Sequence, residues 1–195
     1  MPRILDPYIL EEINRAAHVI EEGGIILYPT DTIWGIGCDA TNEKAIKRIY
    51  ELKRRPESKS LIALVSSQNQ LLRHVKDIPS LAFDLMDCAT RPMTIVYDCV
   101  KGVSPVALAE DGSMGVRVVN DEFCRALIDK IKKPLISTSA NVSSHPSPSC
   151  YDDIEDDIKN GVDYIVDYRR GERTSDVSST IIKLTNDCRI TVIRK

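Results

Sequence analysis

The sequence of 195 residues contains no long apolar run and few aromatic side chains. Its longest apolar segments, such as residues 61–65, are far shorter than the roughly 20 residues that a membrane-spanning helix needs. Aromatic residues make up 5% of the chain, which does not favour a protein that binds single-stranded nucleic acid by stacking its bases. Residues 1–10 lack the apolar core of a secretory signal. We therefore expect a cytoplasmic protein without a membrane partner.

The spacings of the common metal and nucleophile sites are also missing. The six cysteines are scattered without a Cys-x-x-Cys pair, which is typical of a protein in a reducing compartment. The three histidines share no metal-ligand spacing, so we expect no metal bound by the protein itself. No serine lies in a Gly-x-Ser-x-Gly turn, and no cysteine has a recognisable histidine partner. An enzyme with this sequence would act by positioning its substrates and stabilising charge.

Length and composition indicate an ordinary globular protein. Hydrophobic residues make up 43% of the chain and charged residues 28%, and the length suits one domain formed by residues 1–195. Apolar periods typical of helices and of strands alternate in the first half of the chain, whereas strands dominate the second half. The pattern predicts an α/β domain with a mixed sheet.

Charge is unevenly distributed. Although the net charge is −3, residues 44–59 carry +5 and the remainder of the chain carries −8. The basic residues of this window are Lys44, Lys47, Arg48, Lys53, Arg54, Arg55 and Lys59. A cluster of cations just after a helix suits a polyanion such as a triphosphate. The alternative is a solvated helix end.

Residues 25–40 pass from an apolar strand into a polar segment. Pro29 prevents the strand from continuing inside a sheet, and hydroxyl and carboxylate side chains follow at Thr30, Asp31 and Thr32. We interpret residues 30–40 as a polar loop at the floor of a ligand site, with glycines that allow close backbone contacts. A loop that merely needs turns is the alternative.

Gly35, Gly37 and Ala40 formally match the fingerprint of dinucleotide-binding folds. That fingerprint directly follows a strand and opens a helix. Here six residues separate the strand from Gly35, and the next predicted strand ends in Ser66 rather than in the acidic residue that would hold a ribose. The context therefore disfavours a dinucleotide site.

Polar residues also occur at three later strands. Arg117 lies in the middle of a predicted strand, where its charge is costly unless it meets a ligand anion or a partner carboxylate. Hydroxyl-rich segments occur at residues 137–141, where a strand ends, and at residues 178–180, where a strand begins. These positions add candidate ligand contacts.

Further elements follow from apolar spacing and capping residues. We expect helices over residues 8–22, from Thr41 or Asn42 to just before Pro56, and after Asn120 or Asp121. Residues 151–159 should form a short acidic helix, and residues 179–184 and 189–194 a hairpin.

Six segments occur in the order and at the spacing of the YrdC/TsaC family, which this chain resembles: residues 28–37, 53–56, 92–94, 115–117, 139–143 and 179–182. The resemblance implies a twisted mixed sheet with helices around a large, positively charged cavity. Members of the family are threonylcarbamoyl-AMP synthases, which join L-threonine, bicarbonate and ATP and release pyrophosphate. The resemblance thus implies a nucleotidyltransferase that takes Mg²⁺ with ATP. Its adenylate product would pass to the tRNA threonylcarbamoyl transferase machinery.

The resemblance also implies roles for single residues. Catalytic roles fall to Lys53, Arg55 and Arg117. The threonine pocket would be formed by Thr30, Thr32, Arg117, Ser137 and Ser179. ATP would be bound by Lys53, Arg55, Lys59, Ser113, Ser139, Asn141, Ser147 and Arg194. A serine- and proline-rich segment, residues 143–150, is a candidate lid.

Two other functions fit the same resemblance. Proteins of this fold have been described as binding double-stranded RNA or tRNA, so the chain could be an RNA-binding module without synthase activity. A carbamoyl-adenylate enzyme that acts on another acceptor, as in hydrogenase-maturation relatives, is the third reading.

Overall fold

The computed structural model describes residues 5–56, 61–173 and 178–195, and these residues fold around one mixed sheet of nine strands. The helices are α1 (Pro7–Glu21), α2 (Glu43–Leu52), α3 (Gln68–His74), α4 (Ser80–Cys88), α5 (Glu122–Ile131) and α6 (Asp156–Gly161), with a 3₁₀ turn at Pro105–Ala107. The strands are β1 (Ile26–Tyr28), β2 (Gly35–Asp39), β3 (Ile62–Val65), β4 (Met93–Tyr97), β5 (Met114–Val118), β6 (Leu135–Ser139), β7 (Tyr164–Ile165), β8 (Thr180–Leu184) and β9 (Ile190–Arg194).

The sheet combines parallel and antiparallel pairs, as the sequence predicted. Its strand order is β7-β1-β2-β6-β3-β5-β4-β8-β9. The pairs β1/β7, β3/β5 and β4/β8 are parallel, and the others are antiparallel. The α/β fold with a mixed sheet is confirmed, and so is the β8–β9 hairpin.

The two faces of the sheet are covered differently. One face packs against α2, α3, α4 and α6, where Ile36, Ala63 and Ile95 belong to a single buried cluster. On the other face, α1 and α5 pack against each other and against β1, β2 and β3. Tyr28 and Leu64 belong to this second cluster. The second face therefore has a helix cover at β1–β3, which leaves room for a cavity beside it.

Capping side chains set the helix starts. Asp6 Oδ1 accepts a hydrogen bond from the backbone N–H of Tyr8 at α1 (2.8 Å), and Asp121 Oδ1 accepts one from Cys124 at α5 (2.8 Å). Asn42, one of the two predicted caps of α2, accepts from Ala45 at 3.1 Å. These acceptors satisfy backbone donors that have no partner within the helix.

The expected loop over residues 30–40 is wrong in its second half, because Gly35–Asp39 forms strand β2. The glycines are needed for packing within the sheet rather than for turns. A Cβ on Gly37 would lie 2.8 Å from Tyr28 Cε1 and 2.6 Å from the backbone oxygen of Ile136. The missing side chain thus lets the Tyr28 ring lie against the neighbouring strand. The dinucleotide reading fails too, since these glycines lie within an antiparallel strand.

The expected acidic helix over residues 151–159 is also wrong at its start. Helix α6 begins at Asp156. The preceding residues form turns, because Tyr151 packs its ring against Trp34 at 5.3 Å between centroids and Ile154 is buried. Among the described helices, none combines the length and the apolar character needed to cross a membrane.

We predict that Gly37→Ala lowers the free energy of unfolding by about 1–3 kcal/mol, because the added methyl group must displace either the Tyr28 ring or the β6 backbone. Urea denaturation measures this change. Gly171→Ala is the matched control, since a Cβ there meets no atom within 4 Å. Equal destabilisation by the two substitutions would contradict the packing role of Gly37.

Candidate active site

A cavity of about 300 Å³ lies on the sheet face that also carries α1 and α5. Alternate strand residues form its floor, because side chains two positions apart point to the same face. These include Ile62 and Leu64 of β3, Thr94 and Val96 of β4, Gly115 and Arg117 of β5, and Ser137 and Ser139 of β6. Thr30, Thr32, Trp34, Arg55, Ser147, Ser179, Ile193 and Arg194 are also on its wall. This volume lies at the lower end of the range for small-molecule sites.

The cavity wall is cationic. Arg55, Arg117 and Arg194 line it, and no aspartate or glutamate is among the described residues on the wall. Burial lowers the pKa of the Arg55 guanidinium. Burial and, to a smaller extent, the positive charge of Arg117 lower the pKa of Arg194. Both shifts reflect the cost of burying a positive charge, and a nearby anion reduces that cost, so the cavity wall is suited to anions.

Arg117 is held from two directions. Its side chain is 6% exposed. Nη1 donates a hydrogen bond to Thr32 Oγ1 at 3.3 Å, and Nη2 lies 3.2 Å from Asp31 Oδ1. Both alternatives left open for this strand arginine therefore apply, since it has a partner carboxylate and also lines the cavity. Nε has no hydrogen-bond partner among the described residues.

The hydroxyl groups of Thr30 and Thr32 form a directed chain. Thr30 Oγ1 donates to the backbone oxygen of Ile33 (2.8 Å), and it lies 2.9 Å from Thr32 Oγ1. A hydroxyl has one hydrogen to donate, so Thr32 Oγ1 must donate to Thr30. Thr32 then presents only an acceptor to a ligand. An ammonium or amine N–H of a substrate would satisfy it.

Ser137 can donate a hydrogen bond to a ligand, whereas Thr32 can only accept one. Tyr28 Oη donates to Ser137 Oγ at 2.8 Å, because burial raises the tyrosine pKa well above its usual value and keeps the phenol protonated. The Ser137 hydrogen is then free to point into the cavity, where a carboxylate or phosphate oxygen could accept it.

Ser179 joins a hydrogen-bond network on the cavity wall. Its Oγ lies 2.8 Å from Thr94 Oγ1. Its backbone oxygen accepts hydrogen bonds from Arg194 Nε (3.1 Å) and Nη2 (2.9 Å). Arg194 is thereby fixed at the β8–β9 end of the cavity.

Lys53 is placed differently from the arginines. It is 1% exposed and does not line the cavity. Its Nζ donates to the backbone oxygens of Ser139 and Asn141, and the second contact measures 2.5 Å. Burial, with repulsion from Arg55, lowers the Lys53 pKa from 10.5 to about 7. Lys53 therefore fixes the backbone where β6 ends, directly beside the cavity wall.

The remaining predicted residues divide into two groups. Ser139 and Ser147 line the cavity, so the segment 143–150 does reach the site. Asn141 and Ser113 are buried away from the wall. Asn141 Nδ2 donates to the backbone oxygen of His145 at 2.6 Å, and the Ser113 amide donates to Asp111 Oδ1 at 3.0 Å. Lys59 lies outside the described residues.

The interpretation of residues 44–59 as one anion site is wrong for most of its described cations. Arg48 forms an ion pair with Asp163 (2.8 Å), and Arg54 with Asp157 (3.2 Å). Lys47 contacts Glu43 on the same helix at 2.7 Å. Arg55 is the described residue of this window that lines the cavity. The window therefore contributes single residues to the site rather than a basic patch.

The sequence analysis missed several wall residues. Thr94 is 0% exposed and bonds to Ser179, although only its segment had been singled out. Trp34 lines the cavity, and its indole N–H has no hydrogen-bond partner among the described residues. Thr94 is the one threonine or serine in the otherwise apolar β4, and this was the available signal for it. Trp34 lies in the family segment of residues 28–37, but it was not predicted as a site residue.

Comparison with known proteins places this geometry in a family. A family model described as "Telomere recombination", which covers Sua5, YciO and YrdC proteins, matches residues 18–195. The chain is 33% identical to a threonylcarbamoyl-AMP synthase of Idiomarina loihiensis over 159 residues, which cover 80% of this chain and 86% of that protein. The chain belongs to the Sua5/YciO/YrdC family.

Members of the family from Pyrococcus abyssi are similar in sequence and structure. A threonylcarbamoyl-AMP synthase from this organism is 35% identical over 89% of the chain, which spans 51% of that protein. The crystal structure of P. abyssi Sua5 complexed with L-threonine matches 88% of the chain and 50% of its own length, with a TM-score of 0.80 and 32% identity. The chain thus spans about half the length of these P. abyssi relatives.

We predict that Lys53→Met changes how stability depends on pH. Between the lowered pKa of about 7 and the ordinary value of 10.5, the unfolded chain keeps a proton that the folded chain has released. The wild-type protein should therefore gain stability relative to the variant as the pH rises through this interval, by up to about 1.4 kcal/mol per pH unit.

Urea denaturation of both proteins at several pH values measures this difference. Lys44→Met, which removes an exposed lysine of α2, is the control and should follow the wild-type curve. Parallel curves for wild type and Lys53→Met would contradict the lowered pKa.

Proposed function

We propose that this protein is a threonylcarbamoyl-AMP synthase, an enzyme that makes threonylcarbamoyl-AMP and pyrophosphate from L-threonine, bicarbonate and ATP. The observation that carries the proposal is the cavity itself, where three arginines and a set of hydroxyls meet and no acidic residue is found on the part of the wall that the structure describes. Relatives named for this activity are 31–35% identical over most of the chain. A family structure with L-threonine supports the amino acid as a substrate.

The reaction suits a site that works through charge. The amine of threonine attacks bicarbonate, giving a carbamate and water. A carbamate oxygen then attacks the α-phosphorus of ATP, the bond to the β-phosphate breaks, and pyrophosphate leaves. Carboxylate, carbamate and triphosphate must approach one another, so fixed cations and N–H or O–H donors lower the barrier. The cavity wall offers these groups.

The polar groups at one end of the cavity fit the two ends of an amino acid. Arg117 presents guanidinium N–H groups and Ser137 an O–H, which suit the carboxylate. Thr32 Oγ1 can only accept, which suits the amine. We place threonine here, with Thr30 orienting Thr32 and Ser179 completing the pocket.

ATP would occupy the remaining part of the cavity. Arg55 and Arg194 would contact its phosphates, and Ser139 and Ser147 would face the nucleotide. Lys53 would act by holding the Ser139–Asn141 backbone in place, and Lys59 stays a predicted phosphate contact. The described wall contains no carboxylate, so Mg²⁺ would enter as the ATP complex, coordinated by phosphates and water. The unstable adenylate would pass to the machinery that modifies tRNA.

We predict that Arg117→Ala lowers threonine-dependent pyrophosphate release by at least about a hundredfold, because the buried charge that would bind and orient the threonine carboxylate is lost. Arg117→Lys should retain only part of the activity, since a lysine cannot bind a carboxylate with two parallel hydrogen bonds. Release of labelled pyrophosphate and detection of threonylcarbamoyl-AMP measure the effect.

Arg73→Ala, which removes an exposed arginine of α3, is the control and should behave as wild type. Circular dichroism checks that the variants fold. Near-normal turnover by a folded Arg117→Ala protein would refute the role of Arg117. Absence of threonylcarbamoyl-AMP with the wild-type protein would refute the proposed function.

A further inference from the structure

Asp31 lies between the two threonines of the cavity wall, yet it does not line the cavity itself. Thr30 and Thr32 face the cavity, whereas Asp31 faces a second cleft of about 560 Å³ on the other side of the loop. The sequence predicted Asp31 only as part of the polar loop of residues 30–40, without a role of its own. We infer that Asp31 is a positioning residue that holds the Arg117 guanidinium in the orientation in which it lines the cavity. This inference rests on the proposed function.

Two contacts fix the guanidinium of Arg117. Arg117 Nη1 is anchored to Thr32 Oγ1 on the cavity side, and Nη2 is paired with Asp31 Oδ1 from behind. The two contacts act on different nitrogens, so together they restrict rotation of the planar group. Thr32 alone would fix one nitrogen and leave the plane free to turn.

The contact with Asp31 leaves Arg117 Nε without a hydrogen bond to any residue that the structure describes. Although Asp31 Oδ1 lies 3.2 Å from Nη2, neither this oxygen nor Arg117 Nε has a hydrogen-bond partner among the described residues. The pair is therefore a close ionic contact without the two parallel hydrogen bonds of a full arginine–carboxylate fork. A fork would occupy the Nε edge of the guanidinium. The observed contact stabilises the charge and leaves Nε, a buried atom, without a hydrogen bond within the described part of the chain.

A backbone hydrogen bond holds Asp31 itself in place. Its other oxygen, Oδ2, accepts a hydrogen bond from the backbone N–H of Asn120 at 3.2 Å, just beyond the end of β5. Arg117 lies on this same strand. Asp31 thus connects the 30–33 loop to β5 and keeps the carboxylate aligned with the guanidinium. Asp31 and Thr32 are neighbours in the chain, so the orientations of the two residues that contact Arg117 are coupled.

The test compares Asp31→Asn with wild type. Asparagine keeps the size of the side chain and can still accept from the Asn120 amide, but it lacks the charge. We expect the KM for threonine to rise about tenfold while the KM for ATP stays within about twofold, because only the carboxylate site is misaligned. Asp31→Glu restores the charge one methylene further away and should raise the threonine KM less. Asp87→Asn, at the same second cleft, is the matched control and should leave both constants unchanged.

A second measurement needs no turnover. The Nε–Hε signal of Arg117 in nitrogen–proton NMR spectra is identified as the arginine signal that Arg117→Lys removes. In wild type this buried proton should exchange slowly with water, and in Asp31→Asn it should exchange at least about tenfold faster as the guanidinium becomes mobile.

The two measurements separate the inference from the proposed function. An unchanged or lowered threonine KM in Asp31→Asn, an equal rise in the KM values for threonine and ATP, or an unchanged Nε–Hε exchange rate would overturn the positioning role. If the wild-type protein releases no pyrophosphate with threonine, the proposed function fails, and the exchange rate alone then decides whether Asp31 fixes Arg117.

Discussion

The burial of the Arg117 guanidinium on a central strand is the constraint on which the site depends. A buried ion costs several kcal/mol unless partners compensate it. The compensation comes from the loop between β1 and β2, although β6 and β3 separate those strands from β5 in the sheet. The loop therefore has to reach across the sheet. Two hydrogen bonds hold it there: the Asn120 amide donates to Asp31 Oδ2, and the Cys124 thiol donates to the Pro29 oxygen.

The same loop decides which hydrogen-bonding groups face the ligand. The chain from Thr32 through Thr30 to the Ile33 oxygen uses up the hydroxyl hydrogens of both threonines, so that side of the cavity accepts. The Tyr28 phenol supplies a hydrogen to Ser137, so that side donates. The polarity needed for an amino acid with its amine at one end and its carboxylate at the other is thus present before any ligand binds. Gly37 contributes indirectly, because it lets the Tyr28 ring reach Ser137.

A single charged residue in an apolar strand predicted the site better than a cluster of residues of like charge did. Arg117 stood out because a charge in a predicted central strand needs a partner, and the structure supplies Asp31 together with the cavity. The basic window was misleading, because the acids that pair with Arg48 and Arg54 lie 115 and 103 residues further along the chain. Such pairings depend on the fold and cannot be read from local composition.

The mixed sheet and helices α1, α2 and α5 followed from apolar periodicity and caps, whereas β2 did not. Glycines are poor strand formers, so residues 35–39 indicated a loop, although close backbone contacts of Gly35 and Gly37 were expected. Their actual reason is tertiary, since Tyr28 and the β6 backbone occupy the space of a side chain. The inward direction of Lys53 was hidden for the same reason, because its two carbonyl partners are 86 and 88 residues away.

Positive charges gather at the cavity. Arg55, Arg117 and Arg194 line a described wall that contains no acid, and Lys53 lies beside that wall. Burial opposes this charge and lowers the pKa values of Lys53, Arg55 and Arg194, with a further contribution from a neighbouring arginine for Lys53 and Arg194. An anion that binds in the cavity removes this opposition, so binding of a polyanion and stability of the charged site are linked. A first anion therefore makes the cavity less repulsive toward its own cations, but it also weakens the field that attracts a second anion. Separate anchoring of the cations resolves the conflict: Asp31 and Thr32 hold Arg117, whereas the Ser179 backbone oxygen holds Arg194. This separation lets the two anions approach each other without competing for one cation.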